Sequence, residues 1–151
     1  RQRQMCKETA TNPRTLGNIK LSSFGAGSGF LGIPGDVTPP SRFIRAAFYQ
    51  TSSPQKETAI EAVIQSFHIL NNFDISIGIE FSESETPTDI PSATQWTSST
   101  DLTHRVIYYR TMYNSDIRCI DLKAIDFNRV KYQAVPLDLI KQQPIQPVQI
   151  N

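Results

Sequence analysis

An α+β fold is predicted for this chain from three features of its sequence. Two stretches of the first half carry apolar residues at helical spacing. The second half changes to strand-like alternation, with two adjacent runs close enough to form an antiparallel hairpin. Glycine and proline clusters punctuate the changes between them. At 151 residues the chain is long enough for one ordinary domain and too short for two large ones.

Residues 1–19 are expected to be a poorly anchored lead-in or processed segment, with Asn12-Pro13 favouring a turn or an extended path. A short strand is expected from Ile19 to Phe24. The glycines at 25, 27, 29 and 32 then put four in eight residues, a density that permits close backbone approach beside a pocket. Thr38-Pro39-Pro40-Ser41 reads as a helix start, with Thr38 capping free amides and Pro39 where a missing N–H costs little. Phe43, Ala46 and Ala47 would form the packed side of that helix. Arg42 falls in its first turns, where the helix dipole disfavours a cation, so an acid, a hydrogen-bond network or solvent must compensate.

The second helix is the clearer one. Ile60, Val63, Ile64, Phe67 and Leu70 form its stripe, with Lys56 and Thr58 at its start and Asn71-Asn72 at its exit. The acidic segment 80–89 reads as a crossing loop. Strands are expected at 94–98, 105–112 and 116–122, the last two joined by Tyr113-Asn114-Ser115, and a further strand at 131–137. Because both faces of the 105–122 pair carry apolar residues, it fits inside a layered structure better than as a lone exposed hairpin. Pro136, Pro144 and Pro147 discourage regular structure beyond it. The expected organisation is therefore a lead-in at 1–19, a folded portion at 20–137 and an extended tail at 138–151.

Fifteen basic against fourteen acidic residues leave a formal charge of +1, so no global field draws the chain to nucleic acid, and no apolar run reaches membrane-spanning length. No nucleic-acid or membrane partner is expected. His68 and His104 lack metal-ligand spacing: His68 lies beside the apolar stripe as a partly buried structural imidazole, and His104 opens a strand at the surface. No metal or cofactor is expected. The glycine segment lacks the lysine and hydroxyl ending of a phosphate loop. Glu80, Glu83 and Glu85 read as a hydrated acidic loop rather than a paired-carboxylate site. Asp101 and Asp121 are expected to cap turns or meet Arg105 and Arg118. Cys6 sits in a poor strand for a nucleophile and reads as an exposed thiol, while Cys119 alternates with apolar residues as a small core side chain.

One segment changes this picture. Gly32-Ile-Pro-Gly-Asp-Val-Thr-Pro-Pro-Ser-Arg-Phe-Ile-Arg-Ala-Ala-Phe48 resembles the signature region of the choloylglycine hydrolase family, which includes penicillin V acylases and conjugated bile-salt hydrolases. The resemblance extends through Leu21-Ser-Ser-Phe-Gly-Ala-Gly-Ser-Gly29, Phe67-His-Ile-Leu-Asn-Asn72, Val106-Ile-Tyr-Tyr-Arg-Thr111 and Ile117-Arg-Cys-Ile-Asp-Leu122, roughly residues 14 to 137 in consistent order. It implies a four-layer αββα N-terminal-nucleophile hydrolase with antiparallel sheets, in which an amino-terminal cysteine attacks an amide carbonyl and its own α-amino group serves as the base.

The resemblance places Arg42 on the family's active-site arginine, leaving Arg45, one helical step on, as structural or surface. The family's nucleophile, a second arginine, an aspartate and asparagine-containing segments have no counterpart here, and Cys6 is in the wrong surroundings to be that nucleophile. The resemblance thus implies a carboxyl-terminal portion that is inactive alone. Its expected partners are an amino-terminal portion carrying the cysteine, an acylamide substrate and further copies in a homo-oligomer, a homotetramer as in the family. Residues 36–41 lean toward the penicillin V acylase branch, with conjugated bile salts as the alternative, and a noncatalytic interaction or degenerate family module as a different class. No compartment follows; a bacterial enzyme of the periplasm or the cytoplasm fits equally.

Overall fold

The computed structural model describes residues 14–16, 18–21, 30, 32–82, 85 and 92–150, and the chain divides into two units, Arg1–Gln55 and Lys56–Asn151. Cys6, the glycines at 25, 27 and 29, and Glu83 lie outside the described residues.

In the first unit, β1 (Arg14–Leu16) and β2 (Ile19–Leu21) form an antiparallel hairpin in which Arg14 lies opposite Leu21 and Leu16 opposite Ile19. Within the stretch read as a lead-in, residues 14–16, too few to show a sequence pattern, are a strand held by pairing with their neighbour. Helix α1 (Pro39–Ser52) starts where expected, with Thr38 at the N-cap and proline at its first positions. Thr38 makes no side-chain cap bond, however. Pro39 and Pro40 have no N–H to satisfy, so the helix opens with few orphan donors and the Thr38 hydroxyl is free to bond elsewhere.

The packed side of α1 also differs from expectation. Ser41 and Arg45 are buried, whereas Phe43 is 75% exposed and Ala46 and Ala47 are exposed. No described residue of this unit covers the Phe43 stripe. The other side is covered by the preceding segment. Phe30 meets Phe48 edge-on at 5.1 Å, a geometry in which ring edge and face attract, and lies tilted against Tyr49 at 6.5 Å. Gly32 then takes a φ of +90°, which a side chain would resist, and the chain runs back along α1 toward its start.

The second unit is a helix on a three-stranded meander. Helix α2 (Ala59–Leu70) begins with a reciprocal capping box: the Glu61 amide donates to the Thr58 hydroxyl, and the Thr58 amide donates to the Glu61 carboxylate. At its other end the Asn72 side-chain amide donates to the carbonyls of His68 and Ile69. We expect Thr58→Ala to lower the stability of this unit by about 1 kcal/mol. A urea midpoint unchanged by that substitution would mean that water replaces the cap at no cost.

Strands β3 (Trp96–Asp101), β4 (Val106–Thr111) and β5 (Asn114–Asp121) pair antiparallel in sequence order. The β4–β5 turn falls at 112–113, one residue earlier than predicted, with Thr111 opposite Asn114 and an irregular register between Tyr109 and Thr111. Val63 and Phe67 of α2, 5% and 4% exposed, form the buried core against the sheet, and the Ser66 hydroxyl donates to that of Ser99. Arg110 lies over the Phe67 ring at 5.7 Å and pairs with Asp74 at 2.8 Å. Thr97, Ser99, Tyr108 and Arg110 thus share the helix-facing side by alternation and register, and Trp96, Ser98, Ile107, Tyr109 and Ile120 share the other.

Because α2 contacts chiefly β3, the β5 edge is left open. Cys119 is accordingly exposed rather than a core side chain, and His68, expected partly buried, is exposed on the outer side of α2. Residues 131–137 form no strand: nothing pairs with them as a ladder, and Pro136 interrupts the donors. They lead into a segment tied to β5 through side chains. Arg118 pairs with Asp138 at 2.8 Å and donates to the Leu137 carbonyl, while the Gln143 side chain accepts from the Ser115 amide. Among the described residues no helix is long and apolar enough to cross a membrane.

Candidate active site

Arg42 occupies the second turn-forming position after the two prolines, its amide donating to the Thr38 carbonyl. Its side chain is half-buried and has no hydrogen-bond or ion-pair partner among the described residues. The buried arginine of this helix is instead Arg45, 7% exposed. Its Nη1 donates to the Pro34 carbonyl at 2.8 Å and to the Asp36 carbonyl at 2.6 Å. The expectation that Arg45 is structural or surface thus resolves to structural: a guanidinium taken out of water must be hydrogen-bonded, and these carbonyls meet that need.

The segment before the helix is fixed a second time by Asp36. Its carboxylate accepts from the Thr38 amide at 2.9 Å, from the Thr38 hydroxyl, and from the Ser41 hydroxyl at 2.6 Å. An aspartate folding back on the residue two positions on is a local turn device, here extended to the first helical hydroxyl. Those bonds, Ser41 first and then Thr38, hold the Asp36 carboxyl down from the usual 3.8 to about 2. A carboxylate therefore stands near the N-terminus of α1, where it suits the helix dipole.

The sign of the pH dependence follows. The folded-state value is depressed, so the stabilisation by Asp36 is complete above its ordinary value of 3.8 and is lost as pH falls through about 2. The Thr38 and Ser41 amide NMR signals are expected to titrate together with a midpoint of about 2. A midpoint at the ordinary aspartate value would show that the hydroxyl bonds do not form in solution.

The remaining polar residues singled out in the sequence make their contacts within the second unit. His104, expected to open a strand, lies within the 102–105 turn before β4, and its Nδ1 is 2.7 Å from Asp101 Oδ2 on the surface. The His104 amide and ring together lower the Asp101 carboxyl below its ordinary range. Asp121 accepts from the Lys123 amide at 2.9 Å, a turn cap as expected. Arg118 finds Asp138 rather than Asp101 or Asp121, and its guanidinium stacks over Tyr109 at 4.7 Å. Glu80 accepts from the Ser92 hydroxyl and Glu85 from that of Ser82, both as loop contacts. The bonds that Asp36 and Arg45 make are what went unread in the sequence. The visible signal was aspartate two positions before Thr38 and five before Ser41.

Comparison with known proteins follows the same segments. Residues 3–134 match the family of linear amide C–N hydrolases, choloylglycine hydrolase family. The chain is 36% identical over 118 residues to a bile salt hydrolase/transferase of Clostridium perfringens, covering 77% of this chain and 35% of that protein. It is 34% identical over 119 residues to one of Lactiplantibacillus plantarum, covering 79% and 36%. A solved conjugated bile acid hydrolase from Clostridium perfringens superposes with a TM-score of 0.63 at 31% identity, over 91% of this chain and 40% of that one. Penicillin V acylase from Agrobacterium tumefaciens gives 0.53 at 24% identity, over 66% and 30%, a likeness of fold alone. The chain spans little more than a third of the length of these curated relatives. Its mixed α/β build of helices and antiparallel sheet is related to that of the N-terminal-nucleophile hydrolases. The chain belongs to the choloylglycine hydrolase family of linear amide C–N hydrolases.

Proposed function

We propose that this chain supplies the carboxyl-terminal part of a cysteine-dependent hydrolase of conjugated bile salts, with Arg42 at the reaction centre. The observation that carries the reading is the state of Arg42: a half-buried cation without a polar partner among the described residues, on a helix start that is locked twice. A guanidinium left unpaired in such a place is available to an oxygen that gains charge during a reaction.

In the reaction proposed, an amino-terminal cysteine from the companion portion gives its thiol proton to its own α-amino group, and its sulfur attacks the amide carbonyl. Negative charge moves to the carbonyl oxygen, where Arg42 lowers the barrier. The C–N bond breaks as the amine takes the proton, leaving a thioester. Water then attacks the thioester, releasing the carboxylic acid and restoring the thiol.

The substrate reading departs from the lean toward penicillin V. Support for bile salts comes from the Clostridium perfringens and Lactiplantibacillus plantarum relatives, 36% and 34% identical and each named bile salt hydrolase/transferase, whereas the penicillin V acylase likeness speaks to fold. Residues 36–41 are occupied with turn and helix-start bonds, a task that does not select an acyl group. The side of the sheet turned from α2, with Trp96 62% and Ile120 38% exposed, supports a second sheet stacked there and hence a four-layer arrangement in the whole enzyme.

We expect the chain alone to release no amine, and the chain assembled with its amino-terminal portion to hydrolyse glycine- or taurine-conjugated bile salts with kcat/KM higher than for penicillin V by about tenfold or more. Turnover by the isolated chain would end the partial-enzyme reading. A preference for penicillin V would reverse the substrate, and an assembled protein without an acyl-enzyme adduct would be a noncatalytic family member.

A further inference from the structure

We propose that Arg45 is a positioning residue for Arg42, acting through the 34–36 backbone rather than on the substrate; this rests on the Arg42 reading above. Two arginines three positions apart are neighbours on a helix surface, and like charges so placed repel. Only Arg45 has its charge satisfied by backbone carbonyls, those of Pro34 and Asp36, which flank Gly35. They draw its guanidinium inward and reduce its competition for any oxygen that Arg42 must meet.

The same bonds close a ring of fixed contacts. From Arg45 the path runs to the Asp36 carbonyl, through Asp36 to its carboxylate, on to the Ser41 hydroxyl, and back along one turn of α1. Arg42 lies inside that turn. Phe30 packed on Phe48 and Tyr49 fixes the same segment further along the helix. The backbone from which Arg42 projects is therefore held on the side of the preceding segment and on the side of the helix, while the Arg42 side chain itself stays unpaired among the described residues.

The test is a double-mutant cycle on the assembled enzyme with a conjugated bile salt. Arg45→Met is expected to lower kcat on the order of 100-fold, the scale of a small misplacement of a reacting group, with KM little changed. Arg45→Lys should restore part of kcat, because an ammonium can still donate to these carbonyls. Combined with Arg42→Ala, Arg45→Met should add no further loss. If Arg45→Met fails to assemble, Asp36→Asn, which removes the charged acceptor of Ser41, completes the same cycle. Losses that multiply, or a lowered thermal midpoint with full kcat, would overturn the proposal while leaving Arg42 in place. Parental turnover by Arg42→Ala would remove the Arg42 reading, and this one with it.

Discussion

Arg42→Ala is expected to slow turnover of the assembled enzyme by about 100-fold or more, the scale seen when one preorganised donor to a developing oxyanion is lost. Assembly should survive, because the helix start is held by Asp36, Ser41 and Arg45, and Arg42 contributes no polar contact to it among the described residues. Steady-state kinetics alongside a solution mass of the complex separates the two effects. The loss should fall on kcat, since the oxygen is neutral in the bound substrate and charged only as the sulfur attacks. A variant that turns over at the parental rate would return Arg42 to the role of a surface cation.

The largest stability effect belongs to Phe67→Ala, about 3 kcal/mol or more. Phe67 is 4% exposed, lies between α2 and the sheet, and has the Arg110 guanidinium over its ring. Truncation removes apolar burial, leaves a cavity, and takes away the face on which Arg110 rests while it reaches Asp74. Ile64, one turn away on the same helix but 45% exposed, provides the contrast: Ile64→Ala should cost much less in the same denaturant titration. Equal losses at both positions would mean that the core is not where α2 meets β3.

The contrast between Phe67 and Ile64 also shows what the sequence made legible. Helical spacing located α1 and α2, and alternation located β4 and β5 to within a residue or two, because these patterns express local geometry. Which part of an apolar stripe is covered depends on what lies opposite. Phe43, Ala46 and Ala47 met the spacing rule and are exposed; Cys119 met the alternation rule on a strand edge that α2 does not reach. Thr38 was placed at the right position with the wrong bond, since two consecutive prolines remove the donors that a capping hydroxyl usually serves. Arg42 was singled out through family resemblance. The buried neighbour was not, because a buried and an exposed arginine look alike until the Pro34 and Asp36 carbonyls are seen to turn toward one of them.

The meander bears on how this region acquires its structure. Each strand pairs only with its neighbour in sequence, across connections of four residues at 102–105 and two at 112–113. Closing such short loops costs little chain entropy, and hairpins of this kind form within microseconds. The sheet can therefore zip together without waiting for a distant strand. The cost is a period of vulnerability: until something stacks on the Trp96 and Ile120 side, the newly formed sheet presents apolar surface to any other nascent chain.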